Sequence, residues 1–248
     1  MQLADARIPV DDPGLLRGDG VFEAIRLYDG RPFELERHLE RMRRSAAGLR
    51  LPLDLDAVRS DIESMLAARA DRDDVIRVLA TRGGRRIAIF EALPEQHGSC
   101  SLGCVTYAPV RVLDQIKSLS YAGNMLASRL AQEHGFDDAL LVSPHGRILE
   151  CPTASFFAVV GGVIRTPPLS DHVLDSITRQ ILLEVADVRE EPVSTDDLAG
   201  LEEAFVASSI RDVLAVSRID EHELGAPGPL TREAAARFLE RTADNRDR

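Results

Sequence analysis

The sequence contains almost no lysine: of its 30 basic residues, 29 are arginine and only Lys117 is lysine. Arginine can replace lysine wherever a fixed positive charge is enough, but it cannot supply a primary amine. A position that keeps lysine against such a bias is a candidate for Schiff-base chemistry, as in enzymes that use pyridoxal 5′-phosphate (PLP). The alternative is that Lys117 is an ordinary surface lysine.

Cysteine is also scarce, and its count is odd: Cys100, Cys104 and Cys151. Three cysteines do not make a framework of disulfides. Cys100 and Cys104 could form half of a metal site, but no second pair or histidine cluster completes it. We therefore expect unremarkable thiols and no metal.

Long apolar runs and an excess of positive charge are both missing. No window approaches the eighteen uninterrupted apolar residues of a membrane span, and the first residues lack the basic start and apolar stretch of a secretory signal. The net charge of −11 disfavours nucleic acid and anionic membranes as partners. We expect a cytoplasmic globular protein with a sizeable core over its 248 residues.

Alternation and helical spacing predict an α+β protein. Residues 20–28 alternate like a strand and end at the turn pair Asp29-Gly30, and apolar residues recur at helical spacing over 34–50. The other predicted helices cover 55–69, 124–133, a stretch capped by Asp175 or Ser176 that runs to about Val185, and 231–241. The other predicted strands cover 75–80, 87–90, 104–107, 139–142, 147–150, 155–160 and 204–207. We place a smaller N-terminal domain at 1–108, a linker at 109–115 and a larger C-terminal domain at 116–248.

Lys117 lies where an apolar, strand-like run meets a helix. Partial desolvation at such a junction lowers the pKa of an amine and makes it a better nucleophile. Tyr121, four residues further on, could donate a hydrogen bond to the ring oxygen of PLP, or it could be a packed aromatic. The pyridine nitrogen of PLP needs an anionic partner, because the protonated ring is a better electron sink. Glu150 is our candidate; the alternative is a solvated loop carboxylate.

The phosphate of PLP needs backbone N–H groups and cations. Residues 174–179 open a helix whose free N–H groups and positive dipole end suit a phosphate, and the Thr178 hydroxyl can add to them. Ser208 and Ser209, after a predicted strand, offer further donors. Arg41 could supply a fixed charge and a fork of donors, although alone it is equally a solvated helix residue.

Nine short segments stand in a fixed order along the chain: Gly18–Glu23, Arg37–Met42, Thr81–Gly83, Ile116–Leu119, Asp138–Leu141, Gly146–Glu150, Thr166–Leu169, Ile177–Arg179 and Ile219-Asp220. In this order the sequence resembles the class IV aminotransferases, the PLP enzymes of fold type IV. The resemblance runs from about Leu16 to Ile219. The family includes D-amino acid transaminases, branched-chain aminotransferases and 4-amino-4-deoxychorismate lyases.

The resemblance implies that Lys117 carries PLP as a Schiff base and that Glu150 contacts its pyridine nitrogen. The implied phosphate ligands are Arg41, the N–H groups of Ile177 and Thr178, and a hydroxyl near Ser209. It also implies a two-domain fold-type IV enzyme with PLP between the domains. A homodimer is implied too, in which the other subunit contributes part of the substrate pocket.

Four positions depart from the family pattern. Ser176 stands where glycine is usual and can still cap a helix. Ser155 replaces a common asparagine, and Ala215 replaces a frequent proline. Arg17 replaces an aromatic residue before Gly-Asp-Gly, which puts a cation near the expected substrate pocket.

Transamination is the reaction we favour, with Lys117 moving the α-proton and a ping-pong cycle from an amino acid to a 2-oxo acid such as 2-oxoglutarate or pyruvate. The candidate substrate-binding residues are Arg17, Phe22, Arg26, Arg82, Arg85, Arg86, Ile210 and Arg211. The segment Ile116–Leu119 and the basic turn after Thr81–Gly83 look closest to D-amino acid transaminases.

Three alternatives stay open. One is a branched-chain L-amino acid aminotransferase. Another is the lyase that forms 4-aminobenzoate and pyruvate, although Ala24 stands where lyases often carry threonine. The third is a PLP binder without catalysis.

Overall fold

A computed structural model describes residues 7–68, 74–95 and 97–246 of the chain, the last three of these as backbone only. The described residues divide into two compact units. Of the described residues, 7–68, 74–94 and 116–121 belong to the first unit, and 95, 97–115 and 122–246 belong to the second. No helix in these ranges is long and apolar enough to cross a membrane.

The first unit is a small antiparallel sheet with three helices. Its strands are β1 (Gly20–Tyr28), β2 (Arg31–Pro32), β3 (Asp74–Thr81) and β4 (Arg86–Ala92), and its helices are α1 (Pro13–Arg17), α2 (Leu35–Gly48) and α3 (Leu55–Ala68). Over the described residues the strand order is β2-β1-β3-β4. The predicted turn after β1 is present, with Asp29 and Gly30 both at positive φ (49° and 75°), as a two-residue hairpin requires.

Helix α2 packs on this sheet because its apolar residues fall on one face. Leu39, Met42 and Ala46, at helical spacing, are all buried in one cluster with Val21 and Ile25 of β1. Every residue of β1 is buried, including the charged Glu23 and Arg26. The polar positions of α2 that also face inward therefore lie beside a strand that carries charge.

The second unit is built on a larger mixed sheet. Its strands are β5 (Ser99–Thr106), β6 (Asp138–Val142), β7 (Ser155–Val160), β8 (Val163–Thr166), β9 (Val188–Glu190), β10 (Glu203–Ser208), β11 (Asp212–Ile219) and β12 (His222–Glu223), and its helices are α4 (Ala122–Glu133), α5 (Ile177–Val185) and α6 (Pro229–Arg246). Over the described residues the order is β6-β5-β11-β10-β7-β8-β9, with β12 paired to β11. The central strands β7 and β10 read as apolar runs because both of their faces are buried.

The units divide the chain at other places than the predicted domains 1–108, 109–115 and 116–248. Strand β5 belongs to the second unit because it pairs in parallel with both β6 and β11. Residues 109–115 also lie in this unit. Residues 116–121 belong to the first unit because the Leu119 N–H donates to the Gly20 carbonyl over 2.9 Å.

The predicted α+β class is confirmed, and most predicted elements are present within a few residues of their expected bounds. The strand predicted over 147–150 is wrong, since it forms only isolated bridges. The physical reason is that its hydrogen bonds are divided between two neighbours. Leu149 N–H donates to Leu141 of β6, but Ile148 N–H donates to Val193, so no continuous ladder forms.

Candidate active site

The backbone of Lys117 is held on both sides. Its N–H donates to Ser45 Oγ of α2 over 3.1 Å, and its carbonyl accepts the N–H of Phe22 over 3.2 Å. Gly20 allows this close approach, because a Cβ there would lie 2.6 Å from Leu119 Cδ1. The glycine of the Gly-Asp-Gly motif therefore makes room for the segment that carries the lysine.

The side chain of Lys117 is half-buried between two aromatic rings. Its Nζ lies 4.5 Å from the Phe22 ring centroid and 6.0 Å from that of Tyr121. The two rings meet edge to face, with centroids 5.3 Å apart. Such contacts limit the exposure of the amine to water. Three predicted site residues, Lys117, Phe22 and Tyr121, are thus brought together in the first unit.

A buried ionic network lies beside α2. The Glu23 carboxylate accepts hydrogen bonds from Arg41 Nε (2.8 Å) and Nη2 (2.6 Å), and it is 2.8 Å from His38 Nδ1. All three residues are at least 96% buried. Burial raises the pKa of Glu23, but the charge and hydrogen bonds of Arg41 and the contact with His38 outweigh it and hold the pKa at about 2. Glu23 is therefore an anion in the interior.

His38 in this network is neutral. Burial lowers its pKa below 6.5; the hydrogen bond to Glu23 opposes that shift, while the charges of Arg41 and Lys117 add to it. Since an ionised carboxylate only accepts hydrogen bonds, the proton of the neutral ring is assigned to Nδ1. Sequence reasoning named Arg41 but missed these two partners. The available signals were a carboxylate inside a buried strand and a His-x-x-Arg spacing on one helix face.

Glu150 is the predicted pyridine partner and lies in the second unit. It is half-buried, and both of its carboxylate oxygens are 3.2 Å from the N–H of Leu174. Burial and then the negative charge of Glu150 raise the pKa of Tyr107. The Tyr107 hydroxyl donates to Asn124 Oδ1 over 3.0 Å. The carboxylate is therefore held by a backbone N–H and lies near a phenol that stays protonated.

Helix α5 begins with a serine cap. Ser176 Oγ accepts the N–H of Arg179 over 3.3 Å, so the cap is Ser176 and not Asp175. Within the described ranges no hydrogen bond reaches the N–H groups of Ile177 and Thr178. First-turn N–H groups have no partner inside a helix, and together with the helix dipole they suit an anion. These two N–H groups fit the phosphate of PLP.

The two serines at the end of β10 are partly engaged. Ser208 Oγ accepts the N–H of Arg211 over 3.2 Å, and Ser209 and Ile210 are half-buried. Arg211 Nη2 donates to the buried carboxylate of Asp138 over 2.7 Å. The guanidinium of this predicted substrate ligand therefore already holds a carboxylate of the protein.

The other candidate arginines differ in their partners. Arg82 contacts Asp19 at 2.5 Å and also donates to two backbone carbonyls. Arg86 contacts Asp61 at 2.7 Å. Arg26 is buried and lies 5.0 Å from the Tyr28 ring centroid. Two further candidates, Arg17 and Arg85, are exposed, and no ion pair to either is present in the described part of the chain.

The three cysteines do not add a nucleophile. Burial raises the pKa of Cys100 to about 11 and raises those of Cys104 and Cys151 as well. A thiol with a raised pKa is a poor nucleophile at neutral pH. All three are free thiols, so we assign them no chemistry.

Comparison with known proteins decides the family. Residues 20–219 match the family model described as amino-transferase class IV. The chain belongs to the class IV aminotransferases. These are PLP enzymes, and the chain contains the kinds of group that PLP requires: an amine, a carboxylate and helix N–H groups that make no hydrogen bond among the described residues.

Individual relatives agree with this membership. A putative branched-chain-amino-acid aminotransferase of Methanocaldococcus jannaschii is 32% identical, covering 94% of this chain and 91% of that protein. A D-alanine aminotransferase of Bacillus licheniformis is 28% identical, covering 94% and 90%. The PLP-bound structure of a hypothetical aminotransferase from Mycobacterium tuberculosis has a TM-score of 0.88 at 26% identity, covering 96% and 94%. The fold is therefore that of the fold-type IV transaminases.

Proposed function

We propose that this class IV aminotransferase moves an amino group from a D-amino acid to a 2-oxo acid such as 2-oxoglutarate or pyruvate in a ping-pong cycle. The observation that carries the proposal is the placement of Lys117, the sole lysine, between the rings of Phe22 and Tyr121 with its backbone held by Ser45. A pinned backbone and a half-buried side chain restrict the amine to a small volume, as a proton-transfer group requires.

Lys117 has two tasks in this proposal. Its Nζ would attach the cofactor, and the same amine, once freed, would take the proton from the substrate α-carbon and deliver it to the C4′ carbon of the cofactor. PLP supplies the electron sink that makes this proton acidic. Phe22 and Tyr121 limit the water around Nζ, so the proton would stay with the amine between its removal and its delivery.

Glu150 and α5 hold the cofactor in this proposal. Glu150 keeps a negative charge for the pyridine nitrogen, and the Leu174 N–H fixes its carboxylate. The N–H groups of Ile177 and Thr178 receive the phosphate. Arg41 adds a guanidinium whose orientation is set by Glu23, and the hydroxyls of Ser208 and Ser209 contribute further donors.

We assign the substrate carboxylate to arginines that have no carboxylate partner within the described residues. Arg82, Arg86 and Arg211 each contact an aspartate, so binding a substrate there requires breaking an existing pair. Arg17 and Arg85 are exposed and can offer a bidentate fork without that cost. We expect Arg17→Gln or Arg85→Gln to raise KM for the 2-oxo acid. Arg59→Gln, at an arginine already paired with Glu36, is the matched control.

A panel of D- and L-amino acids with 2-oxoglutarate tests the donor. The two relatives named above point to different donors, D-alanine and the branched-chain amino acids, and the panel separates them. We expect keto acid release with D-amino acids. Activity only with L-valine, L-leucine and L-isoleucine would overturn the donor and keep the mechanism. Efficient formation of 4-aminobenzoate from aminodeoxychorismate would replace the transaminase with the lyase.

The mechanism has its own test in Lys117→Arg. Arginine keeps the charge and the length but cannot form a Schiff base or exchange protons near neutral pH. We expect turnover to fall by at least roughly 10²- to 10⁴-fold, with the melting temperature close to wild type. A variant with a near-normal rate would contradict the assignment. A wild-type enzyme whose PLP absorbance does not change on adding a donor amino acid would be a binder without catalysis.

We also propose that the enzyme is a homodimer. Leu126 and Leu130 of α4 stand four residues apart, on one side of the helix, and both are exposed. Exposed leucines in this arrangement favour burial against another chain. Light scattering after size exclusion should give twice the chain mass of 27.2 kDa; a monomeric mass would contradict the proposal.

A further inference from the structure

Side chains from elsewhere in the second unit hold the backbone of residues 173–175, and one of these side chains was not singled out from the sequence. Glu150 accepts the Leu174 N–H. Gln115 makes the other contacts: its Nε2 donates to the Val173 carbonyl over 2.7 Å, and its Oε1 accepts the Asp175 N–H over 3.0 Å. Gln115 therefore pairs with this segment in the way that a neighbouring strand would.

The orientation of the Gln115 amide is decided by its partners. In the reversed orientation, the NH₂ group would face the Asp175 N–H and the oxygen would face the Val173 oxygen. Donor would then meet donor, and acceptor would meet acceptor. Only the observed orientation makes both hydrogen bonds, so the amide is matched to one position of the segment.

Gln115 and Glu150 hold opposite sides of the segment. Within one planar peptide group, the carbonyl of Val173 and the N–H of Leu174 point in opposite directions. Gln115 binds that carbonyl, and Glu150 binds that N–H. A rotation of the segment about its own axis must therefore break contacts on one side or the other.

A second contact supports the same attachment. Asp114 Oδ2 lies 2.8 Å from His172 Nδ1, so consecutive residues 114 and 115 both contact the stretch 172–175. The Val173 side chain is buried in a cluster with Leu149, the residue just before Glu150. The carboxylate and the segment are thus anchored to each other through packing as well as hydrogen bonds.

The segment leads directly into the start of α5. Ser176 follows Asp175 and caps the helix, and the N–H groups of Ile177 and Thr178 come next. Gln115 itself has a left-handed backbone, with φ at 61°, a conformation that residues other than glycine seldom adopt. Both of its amide contacts depend on this backbone placement.

We propose that Gln115 is a positioning residue for the cofactor. It holds the 173–175 segment from the side opposite Glu150, and so sets where the carboxylate and the N–H groups of Ile177 and Thr178 point. The inference rests on the proposed roles of Glu150 and α5 in holding PLP. The Gln115 amide is uncharged: it supplies one hydrogen-bond donor and one acceptor, and it transfers no proton.

The test measures PLP affinity in the full-length enzyme after its cofactor has been removed. Gln115→Met keeps the length of the side chain and removes both hydrogen bonds. Gln115→Glu keeps the acceptor for Asp175 but sets a carboxylate oxygen against the Val173 carbonyl. Both replacements are unbranched at Cβ, so the backbone demand at φ 61° stays comparable. A titration with PLP, followed by absorbance, gives the dissociation constant.

The matched control is Gln132 of α4, whose Nε2 also donates to a backbone carbonyl, that of Asp137, over 3.3 Å. Gln132→Glu changes the same chemistry at an exposed position of a helix in the same unit. We expect each Gln115 variant to raise the PLP dissociation constant roughly tenfold, because Gln115→Met loses two hydrogen bonds and Gln115→Glu loses one and adds a repulsion between two oxygens. Gln132→Glu should leave it unchanged.

Thermal unfolding of the cofactor-free forms separates positioning from fold stability. A residue that only stabilised the fold would lower the melting temperature and leave the PLP dissociation constant unchanged, because the titrated species is the folded protein. The signature of the proposed role is therefore a raised PLP dissociation constant in a variant that is fully folded at the temperature of the titration.

The outcomes also separate this inference from the proposed function. If wild type binds PLP at Lys117 and both Gln115 variants bind it equally well, the inference is overturned and the function stands. An equal loss of affinity in Gln132→Glu also overturns it. If wild type forms no adduct with PLP, the proposed function fails, and that failure is seen before any variant is made.

Discussion

The two units hold their candidate groups by different means. In the first, a fully buried carboxylate, Glu23, is neutralised by Arg41 and contacted by neutral His38. In the second, Glu150 is only half-buried and is held by a backbone N–H, while a neutral amide, Gln115, holds the same segment. The Glu23 site depends on paired charges in the interior, and the Glu150 site depends on backbone groups and a neutral amide.

This difference predicts which property is lost when a charged group of each site is replaced. A buried charge that loses its partner has no water to replace it, so the cost appears in the free energy of unfolding. A half-buried carboxylate held by a backbone N–H keeps water nearby, so its loss should affect chemistry more than folding. The predictions below break this comparison in order of expected effect.

Glu23→Gln should have the largest effect on stability. The amide keeps the shape of the side chain but leaves the buried guanidinium of Arg41 without its counter-charge. We expect the free energy of unfolding to fall by about 3–5 kcal/mol, as measured by urea denaturation. A loss below about 1 kcal/mol, the scale of a surface pair, would contradict the account.

Helix α2, which carries Arg41, also carries a matched control pair. Glu40 accepts two hydrogen bonds from Arg43 at 2.8 and 2.7 Å, nearly the geometry of Glu23 with Arg41, but both side chains are at least half-exposed. Glu40→Gln should therefore leave the urea midpoint unchanged. Equal losses in the two variants would show that burial is not the cause.

Lowering the pH should have the next largest effect, by reducing the stability of the first unit. The pKa of Glu23 is lowered from 4.5 to about 2 in the folded state, so its contribution is complete above pH 4.5 and is lost as the pH falls toward 2. A shift of this size corresponds to roughly 3 kcal/mol. The lowered pKa of His38 adds a loss that begins below pH 6.5. Unfolding curves from pH 7 to 3 should fall more steeply for wild type than for Glu23→Gln; parallel curves would contradict this.

Glu150→Gln should lower turnover more than stability, the opposite of what we expect for Glu23→Gln. The carboxamide oxygen can still accept the Leu174 N–H, so we expect little change in melting temperature. The negative charge for the pyridine nitrogen is lost, and we expect kcat to fall roughly 10²-fold, the scale of removing one electrostatic partner at a reacting centre. A large drop in melting temperature with normal kcat would show that Glu150 is structural.

Ser176→Ala should have the smallest effect. It removes the hydroxyl that accepts the Arg179 N–H at the start of α5, which costs about 1 kcal/mol of stability. We expect a small decrease in melting temperature and weaker PLP binding. Ser176→Asp restores a cap but places a negative charge beside the proposed phosphate ligands, so it should recover stability without recovering affinity.

Much of the fold could be predicted from local pattern. Strand β1 and helix α2 are long and strongly periodic, and the turn from β1 to β2 carries the Asp-Gly pair that a two-residue hairpin needs. The segment 147–150 misled the prediction because its hydrogen bonds are shared with Val193, more than forty residues away, and local alternation carries no record of such a partner.

The site was predictable where residue type limits the chemistry. A sole lysine and a serine that can cap a helix are recognisable from the sequence. For an arginine, the sequence shows the charge but not the partner. Arg82 pairs with Asp19, 63 residues away, and Arg211 pairs with Asp138, 73 residues away. Gln115 was missed for a related reason: a neutral amide is informative only when the backbone groups opposite it are known.

The central claim is that Lys117 carries the cofactor, and borohydride reduction tests it most directly. With one lysine in the chain, the other primary amine available for a reduced adduct is the α-amino group. After reduction of the PLP-loaded enzyme and peptide mapping, we expect the pyridoxyl group on the peptide that contains Lys117. Recovery of that peptide unlabelled, with PLP released on denaturation or found on the α-amino group, would contradict the account.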